Sequence, residues 1–118
     1  MATQQQIFEA AVRYEDGAAI LDLSGEINSF AEERINEAYS EAEASDTKTI
    51  ILNFDQVEYI NSTGIALIVG LLAKTRQNHK QLVTYGLSDH YLEIFHITRL
   101  TDFMTIVPDE ASALAESV

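Results

Sequence analysis

The chain contains no cysteine, one proline and only seven lysines and arginines among its 118 residues. Without cysteine there is no disulfide framework, no thiolate nucleophile and no cysteine-rich zinc site. The seven basic residues face nineteen acidic ones, a formal charge of −12. That balance repels phosphate backbones and anionic membranes, so neither nucleic acid nor a membrane surface is an expected partner. No apolar run reaches the ~20 residues that span a bilayer. The start "MATQQQIFEA" lacks the basic and apolar regions of a signal peptide, and the expected location is cytoplasmic. The five glycines are scattered, so neither a P-loop nor a dinucleotide fingerprint is present. His79, His90 and His96 have no metal-ligand spacing. No metal and no cofactor is expected.

What is present is a period that keeps changing. The length suits one domain, with residues 1–6 as a flexible tail and 7–118 as the folded unit. "IFEAAVRY" alternates through Phe8, Ala10, Val12 and Tyr14, and "AAILDLS" through Ala19, Leu21 and Leu23. The "EDG" between them predicts an antiparallel hairpin. Ser29 and Glu32 form a capping-box pattern ahead of Ala31, Ile35, Ala38, Tyr39 and Ala42 at helical spacing. "TIILNF" is too continuously apolar for a half-exposed strand and predicts one buried on both faces. "QLVTYG" predicts another strand, and Ser88 a third helix cap with Leu87 and Leu92 as a hydrophobic staple. "FMTIV", Pro108 and "DEASALAES" predict a last strand, a break and a closing helix. The order β-β-α-β-α-β-α-β-α implies an α/β domain, a mixed and mostly parallel sheet with helices packed on one side.

The most unusual segment is "EYINSTGIALIVGLLAK", Glu58 to Lys74. At 100° per residue Ile65, Ile68, Val69 and Leu72 form its core face. Thr63, Ala66, Leu67, Gly70 and Lys74 form an opposite strip, small, apolar and flat, where a solvated face would carry charge. Such a strip suits a docking partner. The competing reading buries the helix all round. Ser62 is positioned as the N-cap. It lies outside a G-x-S-x-G elbow and has no identifiable base beside it, so a nucleophile is unsupported. The helix N-terminus would equally tolerate a phosphate, which would put charge beside the strip without melting the helix. The acids of "EERINEAYSEAEASD" are either a solvated face or an attraction for a basic partner.

"LSGEIN", "YINSTGIALIVGLLAKTRQ" and "LSDHYLEIFHITRLTDFMTI" resemble the STAS domain of anti-sigma factor antagonists, over about residues 7–114. The resemblance implies a non-enzymatic partner switch. The unphosphorylated protein would bind an anti-sigma factor that is also a serine kinase, which would phosphorylate Ser62 and so be released. A phosphoserine phosphatase would reset the cycle, and the kinase would supply ATP and Mg²⁺. Thr63 is the neighbouring hydroxyl that could be modified instead. Partner-binding residues carried over are Asn28, Asn61, Ser62, Thr63, Gly64, Ala66, Leu67, Gly70 and Lys74. Asn28 and Asn61 stand where the family commonly has aspartate, and Arg99 where it has glycine. Two alternatives remain: a STAS subunit of another regulatory or transport assembly with no phosphate cycle, and a small enzyme using Ser62. The free protein is expected to be a monomer.

Overall fold

A computed structural model of the chain describes residues 7–117; the expected tail, residues 1–6, and residue 118 lie outside the described part. Asp16 and Gly17 both take positive φ, 50° and 83°. This is the backbone a two-residue type I′ turn requires. It joins β1 (Glu9–Glu15) to β2 (Ala18–Ile27) antiparallel, with Glu15 opposite Ala18. Thereafter β3 (Thr49–Ile60), β4 (Gln81–Tyr85) and β5 (Thr105–Val107) each run parallel to the strand before. The five strands among the described residues lie in chain order across the sheet.

The parallel pairs are linked by α1 (Glu32–Glu43), α2 (Ser62–Gln77) and α3 (Asp89–Ile97). A sheet that grows in one direction through right-handed crossovers puts all its crossover helices on one face. There Leu21, Leu23, Ile50, Leu52 and Phe54 pack with Ile35, Tyr39, Ile68, Leu72 and Phe95. The expectation of helices on one side holds for these three and is corrected for the last, α4 (Glu110–Ala115). It packs on the other face, where Ala113 and Leu114 meet Ala18, Ile20, Ile51, Val83 and Tyr85. No strand follows α4 among the described residues, so the handedness rule does not apply to it. The apolar residues on that face require a cover.

Polar bonds fix where α4 sits. Asp109 caps it by accepting from Ser112 N at 2.8 Å. Arg13 donates to both carboxylate oxygens of Glu110, at 2.5 and 3.1 Å, and also to Asp22. The Tyr85 hydroxyl donates to Glu110 at 2.7 Å. The bonds from Arg13 and Tyr85 hold the Glu110 carboxyl below the usual carboxylate range.

Three local expectations change. The Ser29–Glu32 capping box does not form. Instead Asn28 accepts from Phe30 N at 2.9 Å and caps a 3₁₀ turn, Ser29–Ala31, and α1 begins only at Glu32. β3 continues beyond Phe54 to Ile60, still paired with β2 through two register shifts that hide the strand's alternation. β5 is shorter than "FMTIV" suggests, beginning at Thr105. Ser88 does cap α3, its hydroxyl accepting from Tyr91 N.

Arg99, where glycine is usual in the resembling family, lies just past the end of α3 at φ 66°. A left-handed conformation costs an L residue ~1–2 kcal/mol, and glycine escapes that penalty. The exposed pair Arg99–Asp102, 2.9 Å, offsets little of it. Arg99→Gly is therefore expected to stabilise the domain by about 0.5–1 kcal/mol, after glycine's extra chain entropy is subtracted. Urea unfolding midpoints measure this; an unchanged or lowered midpoint would show that the backbone there is not strained.

Candidate functional site

β2 and β3 end side by side, Ile27 opposite Ile60, and an asparagine comes directly after each strand. The backbone N–H of Asn61 donates to Ile27 O at 3.2 Å, tying the two ends together. Asn28 and Asn61 are both extended, and each is an N-cap: Asn28 of the 3₁₀ turn, Asn61 of α2. Asn61 Oδ1 accepts from Gly64 N at 2.8 Å. The expected cap therefore shifts by one residue: Asn61 caps α2, and Ser62 is its first helical residue, exposed. Asparagine and serine are about equally good caps, so composition alone does not separate adjacent candidates.

This reassigns a stability effect. Asn61→Ala is expected to cost ~1 kcal/mol through loss of the cap. Ser62→Ala should stay within about ±0.5 kcal/mol, as exposed substitutions usually do. Thermal unfolding of the two variants checks the assignment, and a larger loss at Ser62 than at Asn61 would reverse it.

Gly64 sets how closely the helix approaches the strand ends. A Cβ built on it would lie 2.1 Å from Ile27 O and 2.9 Å from Ile60 Cγ2. No side chain fits there, so Gly64 is buried in the floor of the site and is not part of its surface.

The faces of α2 differ in phase from the expected ones. Gly64, Ile68, Leu71, Leu72 and Thr75 are buried. Val69, expected in the core, is 43% exposed. Leu67, expected on the strip, is partly buried against the core, as is Ile65. Thr63, Ala66 and Gly70 are exposed as expected, joined by Ser62, Val69 and Ala73. Lys74 turns toward α1, donating to Asn36 Oδ1 at 3.1 Å and lying 5.7 Å over the Tyr39 ring. The helix is apolar nearly all round, so its sequence has too little contrast to set the phase.

Phe30 was not singled out by sequence reasoning. It is 85% exposed on the 3₁₀ turn, which touches α2. No periodic signal marks it, since a three-residue turn has no amphipathic face. The site as a whole is a surface: two asparagine-capped turns at paired strand ends, a serine at a helix start, and an apolar strip along that helix. Among the described residues the strand order has no reversal, so these strands form no switch-point crevice of the kind where open α/β sheets bind small ligands. Among the described residues, no group of three or more histidines and carboxylates is arranged to hold a metal.

The family model described as STAS domain matches residues 9–113. An anti-sigma-B factor antagonist of Staphylococcus aureus is 33% identical over 84 residues, covering 71% of this chain and 78% of that protein. The anti-sigma-B factor antagonist of Listeria monocytogenes is 31% identical over the same length, covering 71% and 74%. The crystal structure of an anti-sigma factor antagonist from Mycobacterium paratuberculosis has the same fold, with a TM-score of 0.81 over 94% of each chain at 18% identity. With the family model matched from β1 into α4, the chain belongs to the STAS domain family.

Proposed function

We propose that this STAS domain is a phosphorylation-controlled binding switch, an anti-sigma factor antagonist acting in the cytoplasm as a monomer when free. In its unphosphorylated form it binds an anti-sigma factor that is also a serine kinase. Phosphorylation of Ser62 releases that partner, and a phosphoserine phosphatase restores binding. The relatives named anti-sigma-B factor antagonists support the partner class. No helix among the described residues is long and apolar enough to cross a membrane.

The observation that carries the switch is the separation of two jobs at the start of α2. Asn61 holds the cap, and the exposed Ser62 stands free of it beside the apolar strip. A phosphate on Ser62 would therefore leave the cap in place and gain from the helix dipole. It would add roughly −1.5 to −2 charge at the edge of a surface made of Ala66, Val69, Gly70 and Ala73. Docking an apolar partner over that edge would strip water from an uncompensated charge, which is costly. Asn28 and Asn61, neutral where the family commonly has aspartate, add no repulsion against the phosphate.

The test is incubation with purified serine kinases of the anti-sigma factor type from the chain's own genome, with labelled ATP. Ser62→Ala is expected to abolish labelling and to keep partner binding constitutive; Thr63→Ala is expected to be labelled normally. Ser62→Asp should fold normally and bind more weakly. Undiminished labelling of Ser62→Ala, or equal affinity of Ser62→Asp and wild type, would overturn the switch.

A further inference from the structure

We infer that Phe30 is the anchor of this docking surface, an aromatic knob held out by Asn28 for an apolar pocket of the anti-sigma factor, a pocket rimmed by basic groups; this rests on the binding role proposed above. Phe30 is 85% exposed. Single exposed apolar residues are ordinary on protein surfaces. Three features set this one apart.

The first is its mounting. Asn28 Oδ1 accepts from Phe30 N at 2.9 Å on one side, and Ala31 on the other is fully buried. The backbone that carries Phe30 is thus tied at both ends, while its ring packs on nothing that the fold requires. An aromatic side chain on an already ordered backbone loses little further freedom on binding, and such anchors dominate interface energetics. The second is its neighbour. The turn that carries Phe30 touches α2, the helix that exposes Ala66 and Val69. The third is charge. Around the paired strand ends, residues 24–33 and 56–66 contain no lysine, arginine or histidine, and the next basic residue along the chain is the exposed Arg34. They do contain Glu26, Glu32, Glu33 and Glu58, of which Glu32, Glu33 and Glu58 are exposed. A partner face that complements this end is cationic around its apolar centre. The two chemistries are separated along the site. Glu32 and Glu33 follow Phe30 by two and three residues in the chain, while the strip beside Ser62 is uncharged, so a phosphate there meets the apolar part of the partner and not its basic rim.

Asn28 is then a positioning residue. It acts by holding the turn, and its loss should be recovered by another side chain able to accept from Phe30 N.

The experiment titrates the full chain against each purified anti-sigma-type serine kinase of its own genome, by calorimetry at low and high salt. Phe30→Ala is expected to weaken binding at least about 30-fold, the range of an interface hot spot, with an unchanged unfolding midpoint. Ile97→Ala, removing a residue 71% exposed on α3, should change affinity less than about 3-fold. Asn28→Ala should weaken binding and Asn28→Asp should restore it. Glu33→Gln should lower the salt dependence with a smaller loss of affinity. A wild-type chain that binds a kinase while Phe30→Ala binds equally well overturns the anchor and leaves the switch standing. A wild-type chain that binds none of the kinases overturns both.

Discussion

Gly64→Ala is expected to destabilise the domain by roughly 3 kcal/mol or more, at or beyond the usual upper range for an added methyl in a packed interior. The reason is the identity of the atom it would strike. A Cβ at this position lies 2.1 Å from the carbonyl oxygen of Ile27 and 2.9 Å from its carbonyl carbon. A side-chain neighbour could rotate away; a backbone carbonyl at the end of β2 cannot. Ile27 O is also the acceptor for Asn61 N, so moving it breaks the bond that ties β2 to the start of α2. The helix must lift instead, and the cap between Asn61 Oδ1 and Gly64 N goes with it. Against a typical domain stability of ~5–15 kcal/mol, such a loss is large. Chemical denaturation monitored by circular dichroism measures it. A variant within about 1 kcal/mol of wild type would mean that α2 does not press so closely on Ile27. Because the clash also tilts the surface carrying Ser62 and Phe30, any surviving folded fraction should bind a partner poorly.

Lysine at two positions three residues apart on α2 should have opposite consequences. Leu72 is 5% exposed within the main core. Leu72→Lys removes a buried side chain and leaves a charge to be buried or neutralised, an expected loss of about 4 kcal/mol or more. Val69 is 43% exposed on the strip. Val69→Lys should leave stability within about ±0.5 kcal/mol, yet weaken partner binding by setting an ammonium group in an apolar contact. Leu67→Lys, the substitution that helical spacing alone would recommend for this purpose, is a poorer probe because Leu67 packs against the core. Thermal unfolding and titration with the partner, on the same samples, separate the effects. If Val69→Lys unfolds the domain, the strip is interior and the docking surface is lost; if Leu72→Lys folds as well as wild type, the assigned phase of α2 is wrong.

The order of elements was legible from the residues alone, because each element carries its own local signal. The Asp-Gly turn needs only two residues to specify a hairpin, the run "TIILNF" is apolar enough to declare a central strand, and Ser88 marks the start of α3. The neighbourhood of the site was legible too, because Asn61, Ser62, Thr63 and Gly64 are consecutive in the chain. Which of them does what depends on long-range contacts. Asn61 becomes the cap because β3 runs on to Ile60 and delivers Asn61 to the carbonyl of Ile27, a residue 34 positions earlier. Gly64 is obligatory for the same reason, since the atom that excludes a Cβ belongs to another strand. The phase of α2 depends on what lies beneath it, and an almost uniformly apolar helix does not encode that in its own period. Placement of α4 on the opposite face required knowing that Ala18, Ile20, Ile51 and Val83 come together there. Phe30 could be recognised only once its turn was seen to leave it uncovered. Local patterning specifies elements; which groups are buried, capped or left exposed is a property of contacts between residues far apart in the chain.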